Sequence, residues 1–354
     1  MTNGSASMTE VAKAYPRGSK LLKKALRVFN TTDTQTWYEK RGVELKTEAD
    51  GRVFPVSNSS QSIIDCLMRE IDLSDVQLKL KHPIDEINVV DDRPFLKIQD
   101  ATVGYDKIII ATGGHPKLSG FDWLQKLQLD IVPPVPSLFT FNMPNISITQ
   151  LMGVVAESTI VSIQGLKKKV SGPLLITHWG MSGPAVLKLS AFAARDLAER
   201  EYRCQLQVNW VGESRHDLVF EELQGLLAAS PKKKLSSIKP YRLPTRLWSY
   251  LLEKTDLSLT KPCQEVGKKG LNKLTSILSN DVYEVRGKTT FKEEFVTCGG
   301  VSLSSIYHDT LQSKSHPAIY FAGEVLDIDG ITGGYNFQAA WSTGYIAGQL
   351  LDRN

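Results

Sequence analysis

Paired cysteines are missing from this sequence. The four present, Cys66, Cys204, Cys263 and Cys298, stand far apart and form no C-x-x-C. That spacing excludes a disulfide framework and a zinc ribbon, and no metal site is expected. The cysteines read as small apolar residues in a reducing compartment. A run of about 18 apolar residues is also missing, so no segment reads as a membrane-spanning helix. The polar stretch 1–15 lacks the apolar centre of a secretory signal, and the expected location is cytoplasmic. Strong charge of one sign is absent too. The chain has 42 lysines and arginines, 38 acids and a formal charge of +4. That balance alone does not call for nucleic acid. Two runs, Lys167-Lys168-Lys169 and Lys232-Lys233-Lys234, read as solvated loop ends. A small-molecule substrate is expected, with neither nucleic acid nor a membrane as partner. Internal repeats and low-complexity tracts are absent.

What remains is an ordinary globular composition, 42% hydrophobic and 23% charged over 354 residues. This length buries a core without staples and suits two to three domains. Residues 15–29 read as a basic helix. A short helix follows over 32–41, with Asp33 as cap and Trp37 and Tyr38 turned inward. Asp50-Gly51 joins two short strands, 43–46 and 53–54. Residues 59–71 are amphipathic, with Ile63, Ile64, Leu67 and Ile71 on one face. A strand meander is expected over 76–80, 84–90, 95–98 and near Val103. It leads into Lys107-Ile108-Ile109-Ile110-Ala111, a strand expected to be buried on both faces of a parallel sheet. Pro133, Pro134 and Pro136 read as a stiff link at a domain boundary. Short strands over 138–211 surround a helix at 185–200. The stretch 221–278 is helical and polar, broken at Pro231, Pro240, Pro244 and Pro262. Strands at 294–301 and 318–322 and a helix at 336–351 close the chain.

The order predicts an α/β protein whose sheet domain is split by an insertion. Its parts are 1–131, a β-rich part over 132–215, a helical part over 216–282, a return strand over 283–293, and the second sheet part over 294–354. The apolar strands near 107–111 and 318–322 lie more than two hundred residues apart, yet belong to one doubly wound sheet. Ligands bind at the carboxyl ends of such strands.

Four motifs bear on chemistry. At Ala111-Thr112-Gly113-Gly114 a buried strand ends in small residues, which let a bulky ligand approach the backbone; a plain glycine turn explains the same residues equally well. At Ala322-Gly323-Glu324-Val325-Leu326-Asp327 a carboxylate follows a buried strand, where it can accept hydrogen bonds from sugar-like hydroxyls or cap a turn. Gly330, Gly333 and Gly334, then Tyr335 and Asn336, open the last helix, whose free N–H groups favour negative charge. In Thr177-His178-Trp179-Gly180-Met181-Ser182-Gly183-Pro184, polar side chains gather before a helix that Ser182 would cap. His178 there is either a tie for the turn or a proton donor, imidazole being the side chain that changes charge near neutral pH. Arg52 beside Asp50-Gly51 reads as a solvated hairpin charge, or as a contact to a ligand phosphate.

These motifs, in this order, resemble the BaiN-like flavoproteins, also described as the aminoacetone oxidase family of FAD-binding enzymes. The resemblance runs from about Thr2 to the C-terminus. It implies a Rossmann-type FAD-binding domain split by β-barrel-like and helical subdomains. It implies FAD contacts from Ala111, Thr112, Gly113 and Gly114, from Gly323, Glu324 and Asp327, and from Gly333, Gly334, Tyr335, Asn336 and Phe337. Arg17 and Gly18 lie where the family chain continues past its first flavin-contacting loop. The implied activity is a redox reaction on a small organic substrate, C=C reduction or amine oxidation, with NAD(P)H as electron donor. His178, Thr177 and Tyr335 are the expected catalytic residues. The sequence departs from the family at its start. Family chains open with a strand, a G-x-G-x-x-G turn and a helix, and no G-x-G-x-x-G occurs here. The expectation is a chain lacking the unit that holds the FAD pyrophosphate, begun late relative to its family. One alternative is a truncated, non-catalytic relative that binds no FAD. Another is an RNA-associated flavoprotein, suggested by the lysine runs and a pI near 8.7.

Overall fold

The computed structural model describes residues 1–4, 7–144, 146–289 and 296–352. The chain forms two compact units, Met1–Pro136 with Val296–Asn354, and Ser137–Phe295.

In the first unit the strands Ile108–Ile110 and Ile319–Phe321 pair in parallel, with Ile110 opposite Phe321. Apolar runs of this kind seek a covered sheet, and Ile319, Tyr320 and Phe321 are fully buried. The neighbouring strand differs from expectation: Ile110 is buried but Ile109 is 42% exposed. Its far edge and one face are not covered by other described strands. The helix Ser19–Val28 buries Leu21, Leu22, Ala25 and Leu26 in this core and turns Lys20, Lys23, Lys24 and Arg27 outward. The basic stretch 15–29 is therefore not one helix from Tyr15. A short helix, Met8–Lys13, precedes it, and Gly18 in a left-handed conformation (φ 76°) starts the longer one.

The next helix spans Thr31–Glu39 and is capped by Asn30, not Asp33. Asp33 takes the reciprocal role of a capping box, accepting the Asn30 N–H at 2.8 Å. Thr2–Asn3, Arg52–Pro55 and Leu45–Thr47 form a three-stranded antiparallel sheet. The meander is Glu86–Val90, Arg93–Ile98 and Ala101–Gly104, and residues 76–80 form no strand. The helix Gln61–Leu73 buries Cys66 while Ile64 stays exposed, so its inward face is narrower than the apolar spacing implied. The proline-rich stretch is a strand, Ile131–Ser137, paired with Val296–Val301. Proline survives there because a two-stranded ribbon leaves alternate N–H positions unpaired.

The second unit holds a seven-stranded sheet. Its order is Asp281–Arg286, Arg203–Asn209, Val155–Ile163, Lys169–Ile176, Gly180–Ser182, Thr140–Asn142 and Lys288–Thr289. The first and last of these strands are separated in sequence by Gly287 alone, so the sheet must curl round on itself. Gly287 (φ 125°) makes that corner, its N–H donating to the Tyr202 carbonyl and its carbonyl accepting from Asn142 N–H. The helix expected over 185–200 divides into Pro184–Phe192 and Ala194–Glu199. Helices His216–Ala228, Thr245–Lys254 and Gly267–Ser279 complete the unit, around the buried Trp210 and Trp248.

Candidate functional site

The parallel pair sets the position of the site. Beyond the last paired residues, Ala322 N–H still donates to the Ile110 carbonyl at 3.0 Å. The loops Ala111–Gly114 and Ala322–Glu324 therefore leave the sheet side by side at its carboxyl end. Thr297, on the strand Val296–Val301, lies between them. A side chain at Gly114 would collide with Thr297 and with the Glu324 carboxylate, so a glycine is needed for this approach. Glu324 Oε1 accepts the Thr297 N–H at 2.7 Å. Burial pushes the Glu324 carboxyl above its ordinary range, against the opposing pull of that N–H. Gly323, left-handed at φ 75°, donates its N–H to Thr343 Oγ1 at 2.9 Å and is thereby fixed to the last helix.

The glycine loop before that helix is closed by a side chain. Asn336 Oδ1 accepts the Gly330 N–H at 2.7 Å, and its Nδ2 donates to the Gly330 carbonyl at 3.1 Å. Gly334 (φ 88°) precedes the helix Tyr335–Ala347, and its Cα packs on the Thr2 backbone so closely that a Cβ would not fit. Asn3 Nδ2 donates to the Gly333 carbonyl at 3.3 Å. The hydroxyl of Tyr15 donates to the Tyr335 carbonyl at 2.7 Å, and the two rings meet edge to face. At the entry to the loop, Asp329 is wholly buried and forms a bidentate pair with Arg17.

Expected site residues outside this corner are more exposed. Ala111 and Thr112 lie at the surface. With Gly113, His82, Phe121 and Trp123 they line a cavity of about 440 Å³ beside the strand Ile108–Ile110. Phe337 is 60% exposed and stacks on Trp341. Asp327 donates its backbone N–H to the Val301 carbonyl. Arg52 is exposed and bonded to Asp50, a solvated hairpin charge.

His178 and Thr177 belong to the second unit. The Thr177 hydroxyl engages Gly180 from both sides, donating to its carbonyl at 3.1 Å and accepting its N–H at 3.2 Å. Thr177 thus builds the turn between two strands. His178 is exposed at the tip of that turn, its ring against Trp179. Ser182 does not cap the next helix. Gly183 holds the cap position without a side chain, and the Ser182 hydroxyl pairs with Thr140 at 2.9 Å.

Sequence reasoning missed Thr297, Asn3 and Asp329. Thr297 sits in an apolar strand and Asn3 in a terminal segment, where nothing local marks either residue. Asp329 could have been noticed as an acid two residues past Asp327 at the mouth of the glycine loop.

Parallel strands with glycine loops at their carboxyl ends, on a unit interrupted by a large second unit, define a Rossmann-type α/β protein. The sequence matches the family described as "HI0933-like protein Rossmann domain" over residues 1–350, and the chain belongs to that family. It is similar to the ribosomal RNA dihydrouridine synthase of Escherichia coli strain K12, with 28% identity over 341 residues, 93% of this chain and 81% of that protein. Similarity to the Haemophilus influenzae protein of the same name is 27% over 344 residues, 94% of this chain and 82% of the relative. The 3-dehydro-bile acid delta(4,6)-reductase of Clostridium scindens is 24% identical over 332 residues, 92% of this chain and 81% of its own length. The expected exclusion of nucleic acid draws no support from these relatives, two of which are named for ribosomal RNA. Among the described residues no helix is long and apolar enough to cross a membrane.

Proposed function

We propose that the protein is an FAD-dependent reductase that saturates a C=C bond conjugated to a carbonyl, with NAD(P)H as the electron donor. The corner formed by Gly114, Thr297 and Glu324 at the carboxyl end of the parallel pair is the observation that carries this reading. A Cβ at Gly114 would collide with Thr297 and Glu324, so the loop backbone there stays bare. A half-buried carboxyl stands in this corner, and Gly323 ties it to the last helix through Thr343. These residues fit the ring and ribityl half of FAD. When bound, FAD supplies two-electron transfer between a nicotinamide and the substrate.

Glu324 would accept hydrogen bonds from ribityl hydroxyls. Gly113, Gly114 and Gly323 would admit the group to the backbone, and Asp327 would hold its polar edge. The N–H groups at Gly333, Gly334, Tyr335 and Asn336 would stabilise negative charge on the ring, with Phe337 and the exposed Ala111 and Thr112 flanking it. Tyr335, its carbonyl pinned by Tyr15, would orient the substrate. Of the expected catalytic residues on the second unit, Thr177 would fix the turn that carries His178, an imidazole able to give up a proton near neutral pH. The relatives' names narrow the reaction. Dihydrouridine synthesis and delta(4,6) reduction both saturate carbon–carbon double bonds, one on a base in RNA and one on a small sterol-like molecule. Amine oxidation gains nothing from either.

Titrating the purified chain with FAD while following flavin fluorescence tests the proposal. We expect quenching that Gly114→Val abolishes, and NAD(P)H consumption on adding an enone. Absence of FAD binding, or binding indifferent to Gly114→Val, refutes it.

A further inference from the structure

Buried hydroxyls in this chain are bonded as a rule. Thr159 donates to the Gly172 carbonyl at 2.7 Å, Thr275 to the Leu271 carbonyl at 2.9 Å and Thr343 to the Ala339 carbonyl at 2.6 Å. A buried hydroxyl without a partner has given up water for nothing, which is why such groups are rare. Among the described residues two hydroxyls break the rule, those of Tyr38 and Thr297. Tyr38 stands in an aromatic cluster with Trp37 and Trp341, which includes no residue of the corner formed by Gly114, Thr297 and Glu324. Thr297 stands in that corner.

Nothing in the strand Val296–Val301 calls for this hydroxyl. Valine has the same shape and branching, suits a strand as well, and carries no polar atom. The Thr297 N–H donates to Glu324 Oε1 at 2.7 Å, and Glu324 accepts no other hydrogen bond from the described residues. Burial raises the Glu324 carboxyl, and the nearby Thr297 hydroxyl opposes this only weakly. That hydroxyl meets no acceptor at hydrogen-bonding geometry. The atoms nearest to where a Cβ on Gly114 would stand are Thr297 Oγ1, Thr297 Cβ and Glu324 Oε1. A donor without an acceptor and a carboxylate with capacity to spare thus face one bare stretch of backbone. Gly114 and Glu324 are partly exposed while Thr297 is wholly buried, so the pair of oxygens lies just inside the surface.

We infer that Thr297 is a cofactor-binding residue, and that its hydroxyl and the Glu324 carboxylate together hold one hydroxyl of the flavin's ribityl chain. A hydroxyl both donates and accepts. It can donate to Glu324 and accept from Thr297 at once, which fills both vacant capacities with a single group. No single atom of the flavin ring does this, because its carbonyl oxygens only accept and its ring N–H only donates. The inference deepens the FAD reading above and rests on it for the identity of the cofactor. It adds a specificity: this corner selects the sugar-like chain, not the ring. A purely structural threonine is the rival explanation, and it leaves the missing partner unexplained.

The test is titration of the purified chain with FAD, riboflavin and lumiflavin, which has the ring without the ribityl chain, followed by flavin fluorescence. Thr297→Val should weaken FAD and riboflavin roughly fivefold, the worth of one neutral hydrogen bond, and leave lumiflavin unchanged. Thr297→Ser keeps the hydroxyl and should bind all three as the parent does. Added to Glu324→Gln, the valine change should weaken riboflavin less than it does alone, because both groups hold one hydroxyl. Without flavin, Thr297→Val should raise the melting temperature by about 2 °C, since it removes a polar atom that has no partner. Tyr38→Phe should raise it similarly and leave every affinity unchanged. Equal weakening of lumiflavin, or weaker riboflavin binding by Tyr38→Phe, would reduce Thr297 to a packing role and overturn the inference. A lower melting temperature for Thr297→Val would overturn it too, by showing that the protein itself bonds the hydroxyl. A parent chain that binds riboflavin but reduces no enone refutes the reductase reading alone. One that binds FAD and reduces an enone, with Thr297→Val binding as tightly, refutes only the assignment of Thr297. A parent that takes up no flavin refutes both.

Discussion

Replacing Arg17 by alanine should destabilise the first unit more than any change at a surface arginine. The Arg17 side chain is 12% exposed and that of Asp329 is wholly buried. Nε of Arg17 meets Oδ1 at 2.5 Å and the second guanidinium nitrogen meets Oδ2. The same two residues are also bridged through their backbones. Arg17→Ala takes the guanidinium away from a carboxylate that water does not reach. Breaking such a pair costs about 3–5 kcal/mol, mostly the desolvation of the charge left behind. For a chain of this size that lowers the melting temperature by on the order of 10 °C. The effect should be local. Ile331 N–H donates to the Ala14 carbonyl beside the pair, so hydrogen exchange in peptides from both segments should accelerate while the second unit is unchanged. Arg17→Met with Asp329→Leu should recover most of the loss, because no charge is then buried. A loss below about 1 kcal/mol for Arg17→Ala would refute the argument, since it would put the pair in the class of exposed salt bridges.

Three further outcomes are expected. Glu324→Gln should stabilise the protein at neutral pH and weaken FAD binding by roughly tenfold, the worth of about one hydrogen bond. Because burial raises the Glu324 carboxyl, the folded state holds a proton more readily than the unfolded one. Stability is then intact below the ordinary glutamate value and falls as pH rises through the raised one. The gain from Gln should vanish in acid, which melting curves across pH would reveal; a gain independent of pH would contradict the cause assigned. Gly334→Ala should cost about 2 kcal/mol or more, from positive φ and a clash with the Thr2 backbone; a neutral effect in urea denaturation would count against the described packing. His178→Ala should change stability by less than about 0.5 kcal/mol, as at other exposed sites. Any large fall in turnover would then report proton delivery rather than folding.

Much of this architecture was legible along the chain because it depends on local chemistry. The run Ile108-Ile109-Ile110, the β-prone Ile319-Tyr320-Phe321 and the glycines after each marked a parallel pair, since period, branching and turn chemistry are local properties. The hairpin at Asp50-Gly51 was visible for the same reason. Tertiary structure decided the rest. It made Asn30 rather than Asp33 the cap, left Ile109 partly open on a strand that reads as wholly buried, and turned a proline-rich link into a paired strand. It brought Thr297 to Glu324 and Arg17 to Asp329, residues 27 and 312 positions apart. It also set Lys234 beside Pro262 in a chain nearly neutral overall. Composition sums charge over the whole chain, whereas an electric field depends on where the charges stand, and only the fold sets those positions.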